Sequence, residues 1–227
     1  MFRELLSIFR SKDVLAEMGE NFAQMLQLAQ EMTLSAGAVF FGKKISQQER
    51  DHLYQQDIRV NQSERSIRKQ VVAHLSLQGN RLDVPYCLLL MSLVKDVERM
   101  GDYAKNILEL AAFGPDRFPD DEAVQELQAI RQGVETLFEG ALEILNSSES
   151  DQALRLIREG RKIAQRSDVL IERVARANYD ASTTTALVLG TRYYKRIGGH
   201  LLNVISSVVM PLHKVDYFDE DEILSHF

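Results

Sequence analysis

Apolar residues recur at alternating steps of three and four through almost all of this chain, and one such stripe occurs twice. The first copy runs Leu90, Leu93, Val97, Met100, Ala104, Ile107 and Ala111; ninety-seven positions on, Leu187, Gly190, Tyr194, Ile197, Leu201, Val204 and Val208 are apolar or small at every matching place. That spacing is one face of an α-helix packed in a bundle, and it does not suit a strand, whose side chains change face at every residue. A second pair of stripes matches at a shift of one hundred and three: Leu53, Val60, Ile67 and Val71 against Leu156, Ile163, Leu170 and Val174. Any two amphipathic helices can be slid into phase, but two pairs in the same order indicate a duplication. The two shifts differ by six, so the turn between these helices is six residues shorter in the second half.

Breaks at Phe41–Gly42, Gly79–Asn80, Gly114-Pro115-Asp116 with Pro119, Asn146–Ser150 and Asn178–Asp180 divide the chain into six helical segments. The third break, with two Pro and a Gly in six residues, is the boundary between halves. The expected fold is therefore all-α, two tandem three-helix bundles, with one repeat over residues 1–113 and the other over 114–227. Four Pro, no Trp and abundant Leu, Ala and Glu fit that class. The net charge of −6, with both signs mixed along every segment, argues against a nucleic-acid partner, which needs a concentrated basic stripe. A single cysteine, Cys87, leaves no intrachain disulfide, thiolate zinc site or redox pair, and reads as a small apolar space-filler. No apolar run reaches the length of a membrane span, and Met1–Arg10 is too short for a secretory signal, so the chain is expected to be cytoplasmic.

Two polar clusters lie beside the stripes. Asp57, Asn61 and Glu64 share a face of the second helix, and Glu98 and Asp102 share a face of the third. Side by side, such faces offer the oxygen ligands that a hard or borderline metal ion requires. The simpler reading of the spacing alone is a solvated face, with the acids paired to nearby Arg59, Arg65, Arg99 and Lys105.

The segment Lys95-Asp96-Val97-Glu98-Arg99-Met100-Gly101-Asp102-Tyr103-Ala104-Lys105-Asn106-Ile107 resembles the characteristic helix of the PhoU family. Gln56-Asp57-Ile58-Arg59-Val60-Asn61-Gln62-Ser63-Glu64 resembles the other motif of that family, and the second half keeps the family phrase Ile157-Arg158-Glu159. The resemblance extends over residues 15–210 in order, spacing and duplication. It implies a non-enzymatic regulator of phosphate uptake and signalling. The implied partners are a phosphate transporter subunit or a sodium-coupled phosphate carrier, and a sensor kinase. Membrane association would be peripheral, through the partner, and self-association into a homodimer is compatible with it.

The resemblance also implies iron or zinc held between two neighbouring helices, through Asp57, Asn61, Glu98 and Asp102 in the first repeat only. At the shifts given above, these four become Gly160, Ala164, Lys195 and Gly199, so the second repeat keeps the packing stripe and loses the ligands. His200, a lone imidazole, reads as a hydrogen-bonded bystander. Two other readings stand beside the regulator. A di-metal carboxylate enzyme needs Glu-x-x-His on core-facing helices, a pattern this sequence lacks, and no nucleophile elbow or phosphate-binding loop is present. A metal-free helical scaffold is the other. At the ends, Phe2, Leu5, Leu6 and Phe9 share one side of Met1–Arg10, and Asp216–Glu222 is strongly acidic around Tyr217 and Phe218; each reads as a bundle cap, a solvated tail or a docking segment.

Overall fold

A computed structural model describes residues 14–147 and 149–214; both end segments singled out above lie outside the described residues. The described chain forms six long helices and no strand: α1 (Val14–Phe40), α2 (Gln47–Leu75), α3 (Val84–Leu110), α4 (Glu122–Ser147), α5 (Ser150–Arg176) and α6 (Ala181–Ser206). This is the expected all-α pair of three-helix bundles, α1–α3 and α4–α6.

Local chemistry sets the helix ends. Ser46 begins α2 with a capping box: its hydroxyl accepts from the Glu49 N–H, and its own N–H donates to the Glu49 carboxylate at 2.7 Å. Asp180 caps α6 by accepting from the Thr183 N–H at 2.7 Å. Asp121 accepts from the N–H groups of Ala123 and Val124 at the start of α4, and also from the Tyr179 hydroxyl at 2.6 Å, which ties the α5–α6 turn to the first turn of α4. After α1 the chain turns through Gly42 at φ 101°, a left-handed conformation that a Cβ would strain. The duplication is visible in these boundaries. Ala181 opens α6 at the position equivalent to Val84, which opens α3 (181 − 97 = 84). The first half places its extra residues in a short 3₁₀ turn, Asn80–Asp83, held by His74 Nε2 at 2.8 Å from Asp83 and by the Asn80 amide donating to the His74 carbonyl.

The two stripes face inward as the spacing predicts. Val97, Met100, Ala104, Leu187, Ile197 and Leu201 are all buried, and even the weaker ends agree, since Ala111 and Val208 are both half-buried. Cys87 is wholly buried, and burial pushes its thiol up to about 11, which fits the inert space-filling role.

Within each half the three helices pack on one another, and α3 of the first lies against α6 of the second to form one continuous core. These central helices run antiparallel: Asp96 meets His200 and Asn203, while Tyr103 meets Tyr193 and His200. Under the ninety-seven-residue shift Asp96 corresponds to Tyr193 and Tyr103 to His200, so the Asp96–His200 and Tyr193–Tyr103 contacts are mates across a local two-fold axis. At the periphery α1 also packs against α4. Phe118, from the segment joining the halves, completes an aromatic cluster there with Phe40 and Phe41, over which Arg131 lies.

A charged groove between α2 and α3

Asp57, Asn61 and Glu64 fall on the side of α2 that meets α3, and Lys95, Glu98, Asp102 and Lys105 on the side of α3 that meets α2. The acids do not point into open solvent: Asp57 and Glu64 are buried, and Glu98 keeps only 12 % of its side chain exposed. Burying carboxylates is unfavourable unless each is paired. Here each one is.

Lys105 Nζ crosses from α3 to donate to Asp57 Oδ2 at 3.1 Å and to Asp102 Oδ1 at 3.4 Å. Arg99 reaches Asp102 Oδ2 at 3.6 Å. Lys95 donates to Glu98 Oε2 at 2.6 Å and stands 3.9 Å from Glu64 Oε1. Arg68 Nη2 lies 2.9 Å from that same Glu64 oxygen, an ionic contact without hydrogen-bond alignment. Lys105 lines a narrow apolar crevice together with Met32, Ala36, Leu53 and Leu108, so part of its side chain joins the apolar packing while its ammonium serves the acids. Burial alone would pull that ammonium down, but the hydrogen bond and charge of Asp57, then those of Asp102, outweigh it and hold Lys105 above its usual value.

The structure thus brings Asp57 and Asp102 together across the interface, on a shared lysine, and turns Glu98 toward Lys95. Asn61, half-buried one turn beyond Asp57, contributes its carbonyl to Arg65 at 3.1 Å. Among the described residues no three or more His, Cys, Asp or Glu side chains are gathered as a metal ion requires. The residues expected to hold iron or zinc are arranged here as an ion-pair ladder, in which each acid faces a lysine or an arginine. Of the expected cationic partners, Arg99 and Lys105 take part, whereas Arg65 pairs with its own helix backbone. Lys95 and Arg68 were not anticipated; their three- and four-residue spacing from Glu98 and Glu64 was the available signal.

The second half makes the equivalent contact with different chemistry. Asp57 and Lys105 correspond to Gly160 and Leu202 (57 + 103 and 105 + 97), and Leu202 fills the space so closely that a Cβ on Gly160 would lie 2.5 Å from its Cδ2. Glu98 corresponds to Lys195, which bonds both oxygens of Asp168 at 2.5 and 2.7 Å. His200 is hydrogen-bonded as expected, Nδ1 to Asp96 Oδ1 at 2.8 Å, and Asn203 donates to the same oxygen. That partly buried junction between the halves escaped the sequence because its members are 104 and 107 residues apart.

The architecture defines a class: a duplicated pair of three-helix bundles whose first half carries an acid-rich groove on its second and third helices. Residues 15–111, the stretch spanning the first three helices, match the family model described as the PhoU domain. The full-length fold agrees. The crystal structure of the phosphate transport system regulatory protein PhoU from Streptococcus pneumoniae superposes with a TM-score of 0.72 at 17 % identity, covering 90 % of this chain and 95 % of that one. PhoU from Pseudomonas aeruginosa gives a TM-score of 0.65 at 20 % identity, covering 94 % and 99 %. No curated protein matches by sequence. Among the described residues no helix is long and apolar enough to cross a membrane.

Proposed function

We propose that this protein regulates phosphate uptake by binding, with no reaction of its own. The observation that carries the reading is the match to the PhoU domain over residues 15–111, the stretch that contains the Glu98-Arg99-Met100-Gly101-Asp102 helix. The fold likeness to a phosphate transport system regulatory protein supports it. The partners that fit the reading are a phosphate transporter subunit or a sodium-coupled phosphate carrier, and a sensor kinase, with the chain acting in the cytoplasm and reaching the membrane through them. Fold alone does not fix function, so the test is physiological. Deleting the gene is expected to raise phosphate accumulation in phosphate-rich medium and to leave phosphate-responsive transcription insensitive to supply. Tagged protein from the same cells is expected to copurify with a transporter subunit or kinase. Normal accumulation and normal transcription in the deletion strain would remove the proposal.

A further inference from the structure

We propose that Lys105 is a resident cation that takes the place of a metal ion between α2 and α3, so that the first-half acids are neutralised by the chain itself. The inference is independent of any role in phosphate uptake.

Three observations carry it. The ammonium of Lys105 is placed as a bridging ion would be, on one carboxylate from each helix: Asp57 Oδ2 at 3.1 Å and Asp102 Oδ1 at 3.4 Å. Its approach is confined by packing, because Lys105 forms one wall of a narrow crevice whose other walls are the apolar Met32, Ala36, Leu53 and Leu108. The remaining acids are neutralised in the same manner, Glu98 by Lys95 and Glu64 by Arg68, so no carboxylate in the groove is left without a cation. A divalent ion would have to expel Lys105 from both acids and would still face Lys95 and Arg99 at close range.

The second half supports the same view from the other side. Where no acid occupies the position of Asp57, the residue in the position of Lys105 is Leu202, packed onto Gly160. Acid and lysine are present together in one half and absent together from the other, as expected if the cation belongs to the acid pair.

The experiment uses the full chain, purified without a metal-affinity step, dialysed, assayed for iron and zinc by mass spectrometry and titrated with Zn²⁺ by calorimetry. Wild type is expected to retain neither metal in stoichiometric amount. Lys105→Ala is expected to bind Zn²⁺ tighter by about a hundredfold, the scale set by removing a unit charge a few ångströms from the site. Lys105→Arg, which keeps the charge, is expected to behave as wild type. Should Lys105→Ala fold poorly, Lys105→Met retains the packed stem and is expected to show the same gain. Binding gained in Lys105→Ala and abolished by adding Glu98→Ala and Asp102→Ala would place the ion in this groove. Stoichiometric iron or zinc in dialysed wild type that the Glu98→Ala/Asp102→Ala protein lacks would overturn the proposal. So would Zn²⁺ affinities of the Lys105 variants no higher than that of wild type.

Discussion

Replacing Tyr194 with Ala is expected to lower the free energy of unfolding by about 3–5 kcal/mol, the cost of emptying an aromatic site in a packed core, whereas Tyr194→Phe is expected to raise it by about 1 kcal/mol. The opposite signs come from two parts of one side chain. The ring is wholly buried where α6 meets the rest of the core, and its position in the first half is taken by the much smaller Val97. The hydroxyl is also buried but has no hydrogen-bond partner, and burial pushes its pKa well above the usual tyrosine range. It crowds α1 as well: a Cβ on Gly37 would lie 2.5 Å from Tyr194 Oη and 2.9 Å from Arg131 Nε. Gly37→Ala alone is therefore expected to be destabilising by about 1–3 kcal/mol through overpacking, and Tyr194→Phe in the same chain to recover much of that loss. Urea unfolding of the wild type and the four variants measures all these values. A Tyr194→Phe protein less stable than wild type would show that the hydroxyl has a favourable partner.

The Lys105 ion pairs are expected to contribute about 1–3 kcal/mol, seen as the destabilisation of Lys105→Ala, because removing the shared cation leaves two partly buried carboxylates facing each other. Asp57→Ala is expected to cost a similar amount, since Asp57 is the more buried partner, with 13 % of its side chain exposed. Asp102→Ala, at 31 %, is expected to cost about 0.5 kcal/mol, as an exposed pair does. The sign of the pH dependence follows from the raised folded-state pKa of Lys105. The contribution is complete below the ordinary lysine value of 10.5 and is lost as pH rises through the folded value. Thermal melts of wild type and Lys105→Ala at neutral and at strongly alkaline pH are expected to converge only in the alkaline range. A gap that stays constant across that range would assign the loss to the stem's packing alone.

The helix count, the duplication and the inward faces of α3 and α6 were legible because a 3.6-residue period is written into which positions are apolar, and burial enforces it residue by residue. In the structure the same ninety-seven-residue shift also sets the first residue of α6 against that of α3. The loss of acids from the second half was equally plain, as Gly160, Ala164, Lys195 and Gly199 supply no carboxylate.

Which cation each acid of the first half meets was decided only by the tertiary structure. Spacing put Asp57 and Asn61 on one helix face, and Glu98 and Asp102 on another. Such faces serve equally for metal ligands and for salt bridges until the packing of α2 on α3 fixes which cation reaches which oxygen. Lys105 crosses the interface to Asp57, forty-eight residues away, and Asp96 finds His200 at a separation of 104; neither pairing leaves a local pattern. The sequence by itself determined where the chain is helical and which faces are apolar, because those follow from properties of single residues repeated at a fixed period. The partner of each buried charge depends on how two helices lie against each other, and that is set by the whole core at once.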